Sequence, residues 1–183
     1  MGRSDFEPVD LALRDGRRVH VRAVRPSDEG ELLQAFARLA PESRYMRFMS
    51  AIREPNVKRV HEVLASLPER GLIIVATIPA PDGIDIVGSA SFVFTEPGCC
   101  EFAVAIADEW AGAGLGRAMM EQLIGAARRR GLAEMCGYVL AENRAMLGLA
   151  KRLGFSIKAM PGDFSVRVCT LALDDKAEPR TAP

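Results

Sequence analysis

The sequence predicts an α+β fold, a central mixed and mostly antiparallel sheet of about seven strands flanked by helices. Three observations lead there. Short apolar or alternating segments of strand composition recur from Arg18 to Leu173. Two segments, "GLGRAMMEQLIGAARRR" and "NRAMLGLAKRL", carry the 3.6-residue period of amphipathic helices. The elements run strand, helices, three strands, helix, strand, helix, two strands, which is not the regular alternation of a doubly wound sheet. At 183 residues the chain is most simply one domain, expected over residues 17–173, with a polar lead-in at 1–16 and a frayed tail at 174–183.

The elements follow in order. "GRRVHVRAV" alternates and reads as the first strand. "SDEGELLQAFARL" reads as a helix capped by Ser27, with Leu32, Leu33 and Phe36 on one face and Pro41 beyond its end. "PESRYMRFMS" and "PNVKRVHEVLASL" read as two shorter helices. In the former, Tyr45, Phe48 and Met49 stand at i, i+3, i+4, spacing that suits a core face or a substrate lid. "GLIIVATI", a turn at "PAPDG", and "IDIVGSASFVF" form a hairpin. "EPGC" supplies a type II turn into the strand "CEFAVAI". A helix from about Gly114 to Arg130, a strand at "EMCGYVL", a helix from about Asn143 to Leu153, and strands at "FSIKAM" and "SVRVCTLAL" complete the domain.

Composition excludes several classes. Lys plus Arg and Asp plus Glu each number 24, so bulk charge argues for neither a nucleic-acid nor a membrane partner. No run approaches the roughly 20 apolar residues of a membrane span, and no signal-peptide pattern opens the chain. "MGRSDF" begins like a myristoylation site, but Phe6 stands where Ser or Thr is required. The four cysteines lack ligand spacing and the two histidines lack companions, so no metal site is assigned. The cysteines read as reduced core residues of a cytoplasmic protein. His20 reads as solvent-facing and His61 as a helix-surface residue.

Two features call for chemistry. "AGAGLGR", Ala111 to Arg117, fits neither a dinucleotide fingerprint nor a Walker loop. It can be a helix start with space-saving glycines. It can equally be an anion cradle, where glycines let a phosphate reach amides unpaired in the first helical turn, next to the positive end of the helix dipole. The second feature is Glu101, a lone carboxylate in an apolar strand. A period of two puts it on one face with Ala103 and Ala105, small neighbours that leave room for an incoming side chain. Cys100, Phe102, Val104 and Ile106 take the other face. Apolar walls would raise its pKa and suit it to general-base work. A structural pairing with an Arg on a neighbouring strand is the alternative.

"VAIADEWAGAGLGRAMM" resembles the acyl-CoA-binding motif of the GNAT superfamily of N-acetyltransferases, through Gly114, Gly116 and the strand before them. "AENRAMLGLAKRLGF" resembles the family's second block, through Asn143, Gly154 and Phe155. "LRDGRRVHVRAVRPSDEGEL", "ESRYMRF" and "CEFAVAI" look closer still to the acetyltransferase domain of bacterial protein lysine acetyltransferases, which act on acyl-CoA synthetases and often carry a fused partner domain. This chain resembles the domain alone.

The resemblance implies a GNAT fold and acetyl-CoA as co-substrate without a metal. It also implies direct transfer to a protein lysine, with an acyl-CoA synthetase among the candidate partners, and Glu101 as general base. It implies a cofactor-binding set of Val104, Ile106, Ala111, Gly112, Ala113, Gly114, Leu115, Gly116, Arg117 and Asn143. Arg117 sits beside the expected pyrophosphate. "ARRRG" could meet the 3′-phosphate or simply end a helix. Two positions depart from the pattern. Ala111 replaces the usual Gln or Arg, and Ala150 replaces the Tyr that often protonates the departing thiolate. A small-molecule amine acceptor and a non-catalytic acyl-CoA sensor remain as alternatives, and retention of Glu101 argues against the sensor.

Overall fold

Alternating apolar positions set the sheet and amphipathic helices cover it. The computed structural model describes residues 6–50 and 53–174. Among them are strands β1 (Val9–Ala12), β2 (Arg18–Ala23), β3 (Gly71–Ala80), β4 (Gly83–Phe94), β5 (Cys99–Ile106), β6 (Glu134–Leu140), β7 (Ser156–Met160) and β8 (Asp163–Ala172). The helices are α1 (Glu29–Arg38), α2 (Pro41–Phe48), α3 (Val57–Ala65), α4 (Leu115–Arg129) and α5 (Arg144–Arg152). The strands form one sheet in the order β1-β2-β3-β4-β5-β6-β8-β7, antiparallel throughout except for β5 and β6. The expected α+β class holds, with eight strands in place of about seven. The extra strand is β1, inside the segment read as a lead-in, where Val9 and Leu11 pair with Val21 and Val19. The tail beyond Asp174 lies outside the described residues.

α4 buries Leu115, Met119, Met120, Leu123, Ile124, Ala126 and Ala127, the stripe that its period predicts. It closes on β4 at Gly88, where a Cβ would come within 3.0 Å of Ile106 and Met119 side-chain atoms. α1 lies against β4, and α2 against β5 and β6.

α1 departs from its expected cap. It starts at Glu29 after a 3₁₀ turn over Pro26–Asp28, and Ser27 caps nothing. Asp28 instead turns inward to a bidentate pair with Arg22 of β2 at 2.7 and 2.8 Å, and accepts the Arg25 amide at 2.7 Å. Burial pushes the Asp28 carboxyl up, but the Arg22 and Arg25 hydrogen bonds outweigh it and hold the pKa below the ordinary value. Pro41, expected just past α1, opens α2 at its first turn, where a missing N–H costs nothing.

Candidate active site

β5 and β6 pair in parallel only from Cys99↔Glu134 to Glu101↔Cys136, yet β5 runs on to Ile106 and β6 to Leu140. Beyond Glu101 the strands splay, so the β5 backbone from Ala103 onward has a free edge on that side. A cleft of ≈ 570 Å³ opens there, within the usual size range of small-molecule sites. It is lined along one side by Glu101 to Ile106 and reaches Ala111, Gly112 and Gly116 at the start of α4. Tyr138, Asn143 and Leu149 line the β6–α5 side, and Met46, Arg47 and Met49 descend from α2.

The glycine loop works by backbone geometry. Gly114 holds φ +95° as the α4 N-cap, a left-handed conformation that glycine adopts without strain. The first intrahelical bond runs from the Ala118 amide to the Gly114 carbonyl, 3.0 Å. The amides of Leu115, Gly116 and Arg117 therefore precede the ladder and point out of the helix. The side chains of Ala113 and Leu115 belong to the core, leaving these two residues only backbone groups to offer a ligand. Arg117 bonds Glu121 one turn on, at 2.8 Å and exposed. A cation does approach the loop from elsewhere: Arg14 donates to the Gly112 carbonyl at 3.2 Å, and its Nε lies 3.1 Å from where a Gly114 Cβ would stand.

Asn143 caps α5 by accepting the Met146 amide at 3.0 Å while lining the cleft. Ala150 is fully buried, so no polar group at that position reaches the cleft. Two of the three arginines of "ARRRG" serve structure: Arg128 donates to the Leu173 carbonyl and Arg130 to that of Gly71, with Arg130 over the Phe92 ring.

Glu101 is half-buried at the last position where β5 pairs with β6, and among the described residues its carboxylate has no hydrogen-bond or ion-pair partner. No arginine of a neighbouring strand pairs with it among the described residues; the cation its charge acts on is Arg47 of α2. Ala103 and Ala105 line the cleft beside it as expected.

Three neighbours were not found from sequence. Cys136 and Tyr138 share the Glu101 face, because the register sets Cys136 opposite Glu101 and Tyr138 two residues on. Burial first, then the Glu101 charge, pushes the Cys136 thiol up to about 11. Cys136, partial burial and the Glu101 charge together hold the Tyr138 phenol above its ordinary value.

Arg47 is the third. Burial pulls its guanidinium down from the ordinary value and the Glu101 charge pushes it partly back. Of the aromatic and methionine residues weighed for this helix, Phe48 packs on Phe36 with ring centroids 5.4 Å apart, whereas Tyr45 and Met49 stay exposed and Met49 lines the cleft. Asp108, between β5 and α4, accepts the Ala40 amide at 2.8 Å and bonds the Ser43 hydroxyl. It thus ties the start of α2 to the glycine loop and sets Arg47 over the cleft.

No group of three or more metal-ligating side chains occurs among the described residues. No helix among them is long and apolar enough to cross a membrane.

Comparison with known proteins agrees with this geometry. A model of the acetyltransferase (GNAT) domain matches residues 18–156. An acetyltransferase of Pseudomonas aeruginosa is 34% identical over 163 residues, covering 88% of each chain. The GNAT domain of Streptomyces lividans PAT superposes with a TM-score of 0.84 at 22% identity, covering 94% of this chain and 99% of that one. The yncA acetyltransferase of Salmonella typhimurium, solved with its cofactor acetyl-CoA, superposes with a TM-score of 0.67 at 22% identity, covering 90% and 99%.

Proposed function

The chain belongs to the GNAT acetyltransferase family and is an acetyltransferase that uses acetyl-CoA, and from that premise we propose that it transfers the acetyl group directly to a primary amine with Glu101 as general base. One observation carries the reading: a single cleft joins Gly112 and Gly116 to Glu101. The amides at the start of α4 would take the pyrophosphate, the free edge of β5 near Val104 and Ile106 the pantetheine arm, and Asn143 the far wall. This is the fit of a long, anionic thioester to backbone donors and an apolar slot. Ala111 offers its backbone only.

The amine nitrogen bonds to the thioester carbonyl carbon, the C–S bond breaks, and CoA leaves as thiolate while the amine proton passes to Glu101. Lysine has a pKa near 10.4, so at pH 7 only about one amine in 2,500 carries a free lone pair, and a positioned base removes much of that handicap. Resemblance to the protein lysine acetyltransferases supports one reading of the acceptor, a protein lysine of a cytoplasmic partner such as an acyl-CoA synthetase. The unpartnered Arg47 beside the base favours a second reading, an acceptor that carries its own anion.

The test is Glu101→Gln. Release of CoA at pH 7 should fall roughly 10² to 10⁴-fold, while calorimetry finds acetyl-CoA affinity unchanged. Since Glu101 has no partner to lose, the fold should hold. Near-full activity of the variant would remove the assignment.

A further inference from the structure

We propose that the acceptor is a free α-amino acid with an apolar side chain, its amine at Glu101 and its carboxylate on Arg47. The proposal rests on the transferase reading above and names the substrate class of the same cleft.

Arg47 of α2 and Glu101 of β5 line the same cavity, and the Glu101 charge acts on the guanidinium. Among the described residues the Arg47 guanidinium has no hydrogen-bond or ion-pair partner, although it is half-buried. Its carbon lies over the Phe48 ring, 4.8 Å from the centroid. Stacking of this kind occupies the flat face and leaves the in-plane N–H fork open. The Glu101 charge offsets only part of the cost of that burial, and five donors without a hydrogen bond still call for an anionic acceptor. The ligand that such a fork fits best is a carboxylate held by two parallel bonds.

Charge matching points the same way. An acceptor ammonium coming alone, as on a lysine side chain, enters a site where a guanidinium opposes it. A zwitterion brings a positive end for Glu101 and a negative end for Arg47, only two bonds apart along its backbone, and so cancels both. The other charged residues that line the cleft, Glu42, Glu142 and Arg144, are exposed and screened by water. The cleft lining also includes Leu39, Met46, Met49, Ala103 and Tyr138. Such a wall suits an apolar side chain, and its methionines can adapt to more than one shape.

The experiment compares acceptors matched in all but charge. CoA release by the wild-type protein is followed with leucine, methionine and phenylalanine, with their C-terminal amides, and with lysine in a peptide blocked at both ends. The free acids should exceed the amides by about 10²-fold or more in kcat/KM, since a buried donor set left unpaired discriminates strongly. Arg47→Met should erase that preference, raising KM for the acids far more than for the amides. Arg47→Lys should restore only part of it, because one ammonium cannot make the paired contact.

Equal rates for acid and amide would overturn the proposal, as would a preference that survives in Arg47→Met, or the blocked lysine peptide as the best acceptor. In each of those outcomes the transferase reading stands. Absence of CoA release with every amine, while calorimetry shows acetyl-CoA bound, would instead remove the transferase reading and this proposal together.

Discussion

Cys136 stands across the strand pairing from Glu101, so it is a thiol to weigh as a competitor for the acetyl group. Its pKa of about 11 leaves only about one molecule in 10⁴ as thiolate at pH 7, and Cys100, buried and pushed up to about 12, is less reactive still. A combined Cys99→Ser, Cys100→Ala and Cys136→Ala variant should therefore keep kcat within a few-fold of wild type. Mass spectrometry of the wild-type protein during turnover should find no acetylated cysteine, and a stoichiometric thioester on any of the three would show that transfer is not direct. Glu101 itself was legible as a residue, because a carboxylate in an apolar alternation has few structural excuses. Arg47 was not. Within "ESRYMRF" the helical spacing draws attention to Tyr45, Phe48 and Met49, and only the packing of α2 over β5 brings the arginine between them into the cleft that Glu101 lines.

At the scale of elements, the start of α4 and the start of α1 make separable predictions. Gly116 has a helical backbone, and a Cβ there would meet Ile106 and Leu149 at ordinary contact distances of 3.5 and 3.6 Å. Gly116→Ala should thus fold normally. Gly116→Val adds branches at the mouth of the anion site and should weaken acetyl-CoA binding more than about tenfold, or 1.4 kcal/mol, as read by calorimetry with an unchanged melting curve. Gly114 is the poorer probe because any side chain at φ +95° strains the backbone. Unaltered affinity in Gly116→Val would place the phosphates elsewhere.

At the other junction, Asp28 has a folded pKa below its ordinary value of 3.8. Its contribution to stability is therefore fully present above pH 3.8 and is lost as pH falls through the depressed folded value. Asp28→Asn leaves Arg22 buried without a charge partner, and should cost roughly 3 to 5 kcal/mol at neutral pH. Denaturant unfolding should show that difference shrinking only below pH 3.8. A gap already closed at pH 5 would contradict the pair's role.

For the molecule as a whole, the order of elements, the glycine-bearing start of α4 and the start of α5 were readable because periodicity, caps and turns are local. The Asn143 cap and the limits of α4 and α5 came out within a residue or so of expectation. Strand β1 was missed because four alternating residues carry too little signal without their partner β2. The splay of β5 from β6 was invisible for a deeper reason. A parallel register across a helical crossover depends on long-range packing, and it is this register that stops the pairing at Glu101 and opens the cleft.

The account thus depends on one carboxylate at the point where the sheet divides. The most direct measurement is the rate of CoA release by wild type and by Glu101→Gln from pH 6.5 to 10, with saturating acetyl-CoA and the best amine acceptor. The two profiles should differ by roughly 10² to 10⁴-fold at pH 7 and converge as the amine loses its own proton near its pKa. A gap that stays constant across that range, or no gap at pH 7, would contradict Glu101 as the base.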